Sequence, residues 1–113
     1  MKRKVIAFDR YYNDFISSLT EKEVVKVKYI LSLLETEERL PTKFIKLIRD
    51  GLYEIRVNYN NNIYRIFFIF DEGQIVVLFN GFQKKTQKIP VSEIEKAIKI
   101  MEEYYEHKRQ HAD

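Results

Sequence analysis

The chain contains no cysteine, which excludes disulfides and thiolate metal sites. It has two histidines, His107 and His111, both close to the C-terminus. A histidine acid–base pair in the core is therefore not expected. The two stand four apart with Glu103 a turn earlier, but a fraying helix end is a poor ligand frame, and no metal site is assigned. The three glycines are scattered, so there is no Walker-type phosphate loop. Ser17, Ser18, Ser32 and Ser92 fall at helix or cap positions with no histidine to activate them. Asp9, Asp14, Asp50 and Asp71 fall at helix starts and turns, where aspartate is a structural choice. Long apolar runs are also missing. The longest, residues 66–70 and 75–79, fall far short of the ~20 that cross a bilayer. Lys2-Arg3-Lys4 is followed by only four apolar residues, too few for a secretory signal. The expected location is the cytoplasm, without membrane contact.

What is present suits one folded unit. The chain has 113 residues, 45% of them hydrophobic and 33% charged, the balance of a globular domain rather than a disordered one. One domain over 1–113 is expected, with 109–113 as a disordered tail. Net charge is +3 and the isoelectric point about 9.0, so the placement of charge matters more than its sum. Residues 39–49 carry Arg39, Lys43, Lys46 and Arg49 with no acid, and residues 82–88 carry Lys84, Lys85 and Lys88 with no acid. Acids gather in 21–38 and 93–106. Such asymmetry fits a polyanion-binding face and equally a solvated surface. Lys43, Lys46 and Lys88 are the polyanion-binding candidates from these segments.

Residues 4–8 read as a strand. Asp9 is the expected N-cap of a helix over 11–19. Thr20 and Glu23 form a capping box ahead of Val24, Val27, Ile30, Leu31 and Leu34, whose spacing predicts a helix to about Glu38. Pro41 breaks it, and 43–49 is ambiguous. Asp50-Gly51 signals a turn. From Leu52 the period becomes two, with Tyr53, Ile55, Val57 and Tyr59 on one face and Glu54, Arg56 and Asn58 on the other. Asn60-Asn61-Asn62 signals a hairpin, 63–70 the next strand, Asp71-Glu72-Gly73 a turn, and 74–82 a third strand. Ser92 and Glu95 form a second capping box, opening a helix to about Lys108. The fold class is α+β, in the order β-α-α-β-β-β-α, with an antiparallel meander packed against helices.

A two-residue Asn60-Asn61 loop would pair Tyr59 with Asn62 and set Arg56 directly across from Arg65. Like charges so placed repel, and an anion between two guanidiniums resolves the conflict. Glu54 supplies part of that charge and a phosphate the rest. A two-residue Glu72-Gly73 turn would set Arg65 opposite Asn80 and carry Lys84 to the same side. The plain alternative is exposed arginines on the wet side of a sheet. Phe67, Phe68, Phe70, Phe79 and Phe82 read as core, whereas Tyr59 and Tyr64 are candidates for stacking on a base.

Three stretches carry a resemblance. They are Asp50-Gly51-Leu52-Tyr53-Glu54-Ile55-Arg56-Val57, then Ile63-Tyr64-Arg65-Ile66, then residues 77–90 through Leu78-Phe79-Asn80-Gly81-Phe82-Gln83-Lys84-Lys85 to Pro90, with Glu93, Ile94 and Ala97 after them. Over roughly residues 40–104 the chain resembles the phage-derived branch of the RelE/HigB toxin superfamily. The resemblance implies a RelE-like fold and an mRNA interferase acting on ribosome-bound message. It implies that no metal or cofactor is needed, and that the partner is an antitoxin, commonly a helix-turn-helix protein of the HigA kind. It implies attack of the substrate's own 2′-OH on the adjacent phosphate. Arg65 resembles the family's phosphate-stabilising arginine, Arg56 falls on a basic position of the preceding strand, and Lys84 and Lys85 fall on the basic pair past the last strand. Glu54 stands where the best-known RelE members carry lysine, as a base or to orient Arg56. The family's late tyrosine has no match, since Tyr104 and Tyr105 lie too far along the last helix. A non-catalytic binder of RNA or protein within the superfamily is the alternative.

Overall fold

The structure, a computed structural model, describes residues 3–39, 41–84 and 89–112. Five strands form one sheet: β1 (Lys4–Ala7), β2 (Ile45–Arg49), β3 (Leu52–Tyr59), β4 (Asn62–Asp71) and β5 (Ile75–Lys84). Their spatial order is β1-β5-β4-β3-β2. β2 to β5 are antiparallel neighbours, and β1 lies parallel to β5. Three helices cover the sheet: α1 (Tyr11–Ser17), α2 (Glu21–Thr36) and α3 (Val91–Gln110). The α+β class and the meander are as expected from sequence. The ambiguous stretch becomes a 3-10 turn, Thr42–Phe44, and then β2, so there is one strand more than the sequence pattern gave.

Turn chemistry sets the registers. Asp50 and Gly51 both have positive φ, as do Asn60 and Asn61. Each pair is a two-residue loop, Arg49 facing Leu52 and Tyr59 facing Asn62. Such turns match the twist of the strands they join. The third turn differs from expectation. Asp71 faces Ile75, so three residues intervene instead of two. An irregularity between Ile66 and Phe68 shifts the register again, and Arg65 faces Phe82, not Asn80.

Helix ends follow local chemistry less closely than the sequence suggested. The Thr20–Glu23 capping box forms, and Arg3 covers the other end of α2, donating to the carbonyls of Leu34 (2.8 Å) and Glu37 (2.7 Å). Asp9 does not cap α1. It takes a positive φ, and Arg10 stands at the N-cap without a side-chain bond. α3 starts directly after Pro90, two residues earlier than a Ser92 cap would allow. It runs past Lys108 to Gln110, where Arg109 and Gln110 both bond Glu106.

Both faces of the sheet are covered, which corrects the expectation of a wet polar face. On one, Phe15, Val27, Ile30, Leu31 and Leu34 of α1 and α2 pack on Ile55, Val57, Tyr64, Ile66, Phe68, Val76 and Leu78. On the other, Ala97, Ile100, Met101 and Tyr104 of α3 pack on Leu52, Phe67, Ile69, Val77 and Phe79. The uninterrupted apolar run 66–70 carries this information, because a strand buried on both faces does not alternate. Tyr64 is not a stacking platform. It is 1% exposed, and its hydroxyl donates to Glu23. Tyr59 packs at the margin of the same core.

Candidate functional site

Arg56 on β3 faces Arg65 on β4, so both side chains leave the sheet on the α3 face. Directly opposed residues hold their Cβ atoms ~4.5–5.5 Å apart. Glu54 lies two residues before Arg56 on that face, opposite Phe67 and therefore diagonal to Arg65. Its Oε1 accepts a hydrogen bond from Arg65 Nη1. The anion expected between the arginines is thus partly built in, and it serves Arg65 rather than Arg56. Glu54 is 1% exposed and Arg65 5%, while Arg56 is half-buried. Arg65 is therefore not on an open surface.

The pair leaves bonding capacity unused. Among the described residues, four buried side-chain atoms have no partner: Glu54 Oε2, Arg56 Nε, Arg65 Nε and Asn80 Oδ1. Three belong to this cluster. Buried polar groups are overwhelmingly paired, and each unpaired one costs about 1–3 kcal/mol. Two guanidinium N–H groups on neighbouring strands are suited to an anion with several acceptor oxygens.

The other sequence candidates distribute unevenly. Lys46 on β2 faces Glu54, so it shares the α3 face, and it is exposed. Lys43 is exposed in the 3-10 turn, with Nζ 5.1 Å from the Phe44 ring centre. Lys84 ends β5 opposite Ile63, but its side chain, like Lys85 and Lys88, lies outside the described residues. The rings of His107, in the last turn of α3, and His111, its C-cap, lie 4.2 Å apart and tilted by 30°. Among the described residues no three histidine or acidic side chains form a metal-binding group.

Asn80 was missed as a site residue. The signal was a polar residue within an otherwise apolar strand stretch, 77–82. It is 2% exposed and follows Phe79 at the β4–β5 irregularity. Its Nδ2 donates to Glu93 Oε1 at 3.5 Å, a long bond. Phe82, opposite Arg65, stacks on Phe67 with ring centres 5.7 Å apart and planes at 22°.

The far end of α3 carries a different polar group. Asp71 accepts from the Tyr104 hydroxyl and from Lys108 Nζ at 2.9 and 3.0 Å. Burial pushes the Asp71 carboxyl up, but the Tyr104 hydroxyl and the Lys108 ammonium outweigh it and hold the group below the usual aspartate value. Burial and then the Asp71 carboxylate hold Tyr104 far above an ordinary phenol. Tyr11 donates to Glu103 at 2.7 Å, and that bond, then burial, pushes it up to about 12. Neither tyrosine releases a proton near neutrality.

No helix of the described residues is long and apolar enough to cross a membrane. No curated protein matches the chain. Residues 14–102 match the family described as phage derived protein Gp49-like (DUF891), which falls within the RelE/HigB-like toxins in general, and with well over half its length inside that match the chain belongs to this family.

Proposed function

We propose that this chain is the toxin of a type II toxin–antitoxin system and cleaves ribosome-bound mRNA as a metal-independent endoribonuclease. The observation that carries the reading is the Arg56–Arg65 pair: two opposed guanidiniums on one sheet face, each with a buried N–H that has no partner among the described residues. In this mechanism the RNA supplies its own nucleophile. The 2′-OH loses a proton, its oxygen attacks the adjacent phosphorus, and the 5′-oxygen of the next nucleotide leaves with a proton. The products are a cyclic phosphate and a 5′-hydroxyl. Charge accumulates on the phosphorane oxygens, where fixed cations act most strongly. Arg56 and Arg65 fill that role. Glu54 orients Arg65 through Oε1, and its Oε2 is the one unpartnered carboxylate oxygen of the cluster, which makes it the proton acceptor of choice. Lys84 and Lys85 follow on the chain as donors to the leaving oxygen, and Lys43, Lys46 and Lys88 as contacts to the RNA backbone. The antitoxin is a helix-turn-helix protein that holds the toxin inactive in the cytoplasm.

The test is induction in growing bacteria with mapping of mRNA 5′ ends. Growth arrest with new 5′-hydroxyl ends in translated messages is expected, together with a neighbouring gene for a small helix-turn-helix protein. Intact growth and intact message would overturn the reading. One observation favours a second reading, a non-catalytic binder: Glu54 already neutralises Arg65. That reading expects RNA retention without any new ends.

A further inference from the structure

On the α3 face, Arg56, Arg65 and Phe82 face one another in a single row across β3, β4 and β5. Neighbouring strands lie ~4.8 Å apart, so the Phe82 backbone is one strand step beyond the arginine pair. Phe82 also lines a cavity of about 380 Å³ at the edge of β5, between α1 and α3. That edge is open because β1 pairs with β5 only through Leu78. Asn80 lines the same cavity. It is 98% buried, and its Oδ1 has no partner among the described residues. The amide orientation follows from chemistry, since only the NH₂ end donates to the Glu93 carboxylate. The atom left over is an acceptor. Gly81 belongs to the floor. A Cβ there would lie 2.6 Å from the Phe15 ring, so the backbone sits close against α1 and the cavity keeps its room.

We infer that this cavity is a base-binding subsite: a nucleotide whose phosphate lies on Arg56 and Arg65 places its base against Phe82, with an exocyclic amine donating to Asn80 Oδ1. The inference rests on the RNA reading above and adds a preference to it. Unstacked RNA bases are held by aromatic rings and read along their hydrogen-bonding edges. A lone acceptor selects adenine, cytosine or guanine, which carry amines, over uracil, which carries none. An unpaired buried amide oxygen also penalises the base that leaves it unmet.

The experiment uses purified full-length protein and ribosomes programmed with messages that differ at one base beside the cleaved bond. Wild-type protein should cleave the adenine and cytosine messages roughly tenfold faster than the uracil message. Asn80→Ala should bring them to within about twofold, chiefly by slowing the favoured messages, with an unchanged melting curve. Where Asn80→Ala does not fold, Phe82→Leu serves. It should slow every message by roughly tenfold and keep the preference, because stacking is tolerant of sequence. Cleavage without any base preference, or a preference that survives Asn80→Ala, overturns this inference and leaves the nuclease reading standing. No cleavage of any message overturns both. If Asn80→Ala keeps the preference but loses a co-expressed antitoxin, the cavity and the open β5 edge hold an extended peptide, and the base subsite is wrong.

Discussion

Two polar groups lie under the same helix, on the same face of the same sheet, and they are built on opposite plans. Asp71, near the C-terminal end of α3, has its carboxylate met by Tyr104 and by two bonds from Lys108. Glu54, Arg56 and Arg65, four to six residues away along the strands, satisfy one another only in part and leave three atoms unpaired among the described residues. Asn80, near the N-terminal end of α3, adds a fourth. A group kept only for stability tends toward the first arrangement, because unmet bonding capacity in a core is costly. The second offers bonding capacity that suits an anionic ligand. The contrast separates two polar clusters that composition and burial alone would rank together.

The largest expected effect breaks the open end. Arg65→Ala leaves Glu54 buried without a counter-charge, and about 3–5 kcal/mol of stability should be lost in a denaturant titration. This reverses what an exposed sheet position would predict. Adding Glu54→Ala should recover much of the loss. If the single variant is as stable as wild type, the pair is not the buried unit described.

At the closed end the expected effect is smaller and leaves function alone. Tyr104→Phe should cost about 1.5–3 kcal/mol, the worth of a hydrogen bond to a charged acceptor, with cleavage unchanged. Asp71 also sets a pH dependence. Its pKa in the folded chain lies below the ordinary 3.8, so its stabilising contribution is present above that value and is lost as pH falls through the lower one. Melting temperatures should decline below about pH 4, and Asp71→Asn should flatten that part of the decline. A decline identical in both proteins would assign the acid sensitivity elsewhere.

The smallest effect probes the approach to the open end. Lys46 is exposed and faces Glu54 across β2 and β3. Its replacement by Ala should lower the salt slope of RNA binding by about 0.7, one phosphate contact on a single strand. An unchanged slope would remove Lys46 from the RNA path.

Much of this was legible in the sequence, for identifiable reasons. The alternation of Tyr53 to Tyr59 and the Asn60-Asn61 loop sufficed to place Arg56 opposite Arg65, because a two-residue turn fixes its register locally. The capping box at Thr20 and Glu23 is equally local. What depended on distant parts was not legible. The sequence did not reveal that α3 would close over the arginine face, although the unbroken run 66–70 hinted at a strand buried twice. Of the roles open to Glu54, the sequence does not single out the bond to Arg65, since a diagonal contact depends on side-chain packing rather than on register. The third hairpin loop is one residue longer than its Glu72-Gly73 signal predicts, and the strand irregularity beyond it sets Phe82, not Asn80, opposite Arg65. Asn80 enters the sequence reading only as the expected partner of Arg65, and its burial beside α3 is not legible there.

We propose that the Arg56–Arg65 end is a phosphate site rather than a structural knot. Arg65 tests it poorly, because its loss also harms the fold. Arg56 is half-buried and holds no ion pair among the described residues, so Arg56→Ala separates the two. The decisive measurement is cleavage of ribosome-bound message by Arg56→Ala protein beside its thermal melt. A phosphate site gives a melt within a few degrees of wild type and cleavage reduced by about 10²-fold or more. Full cleavage by the folded variant would contradict it.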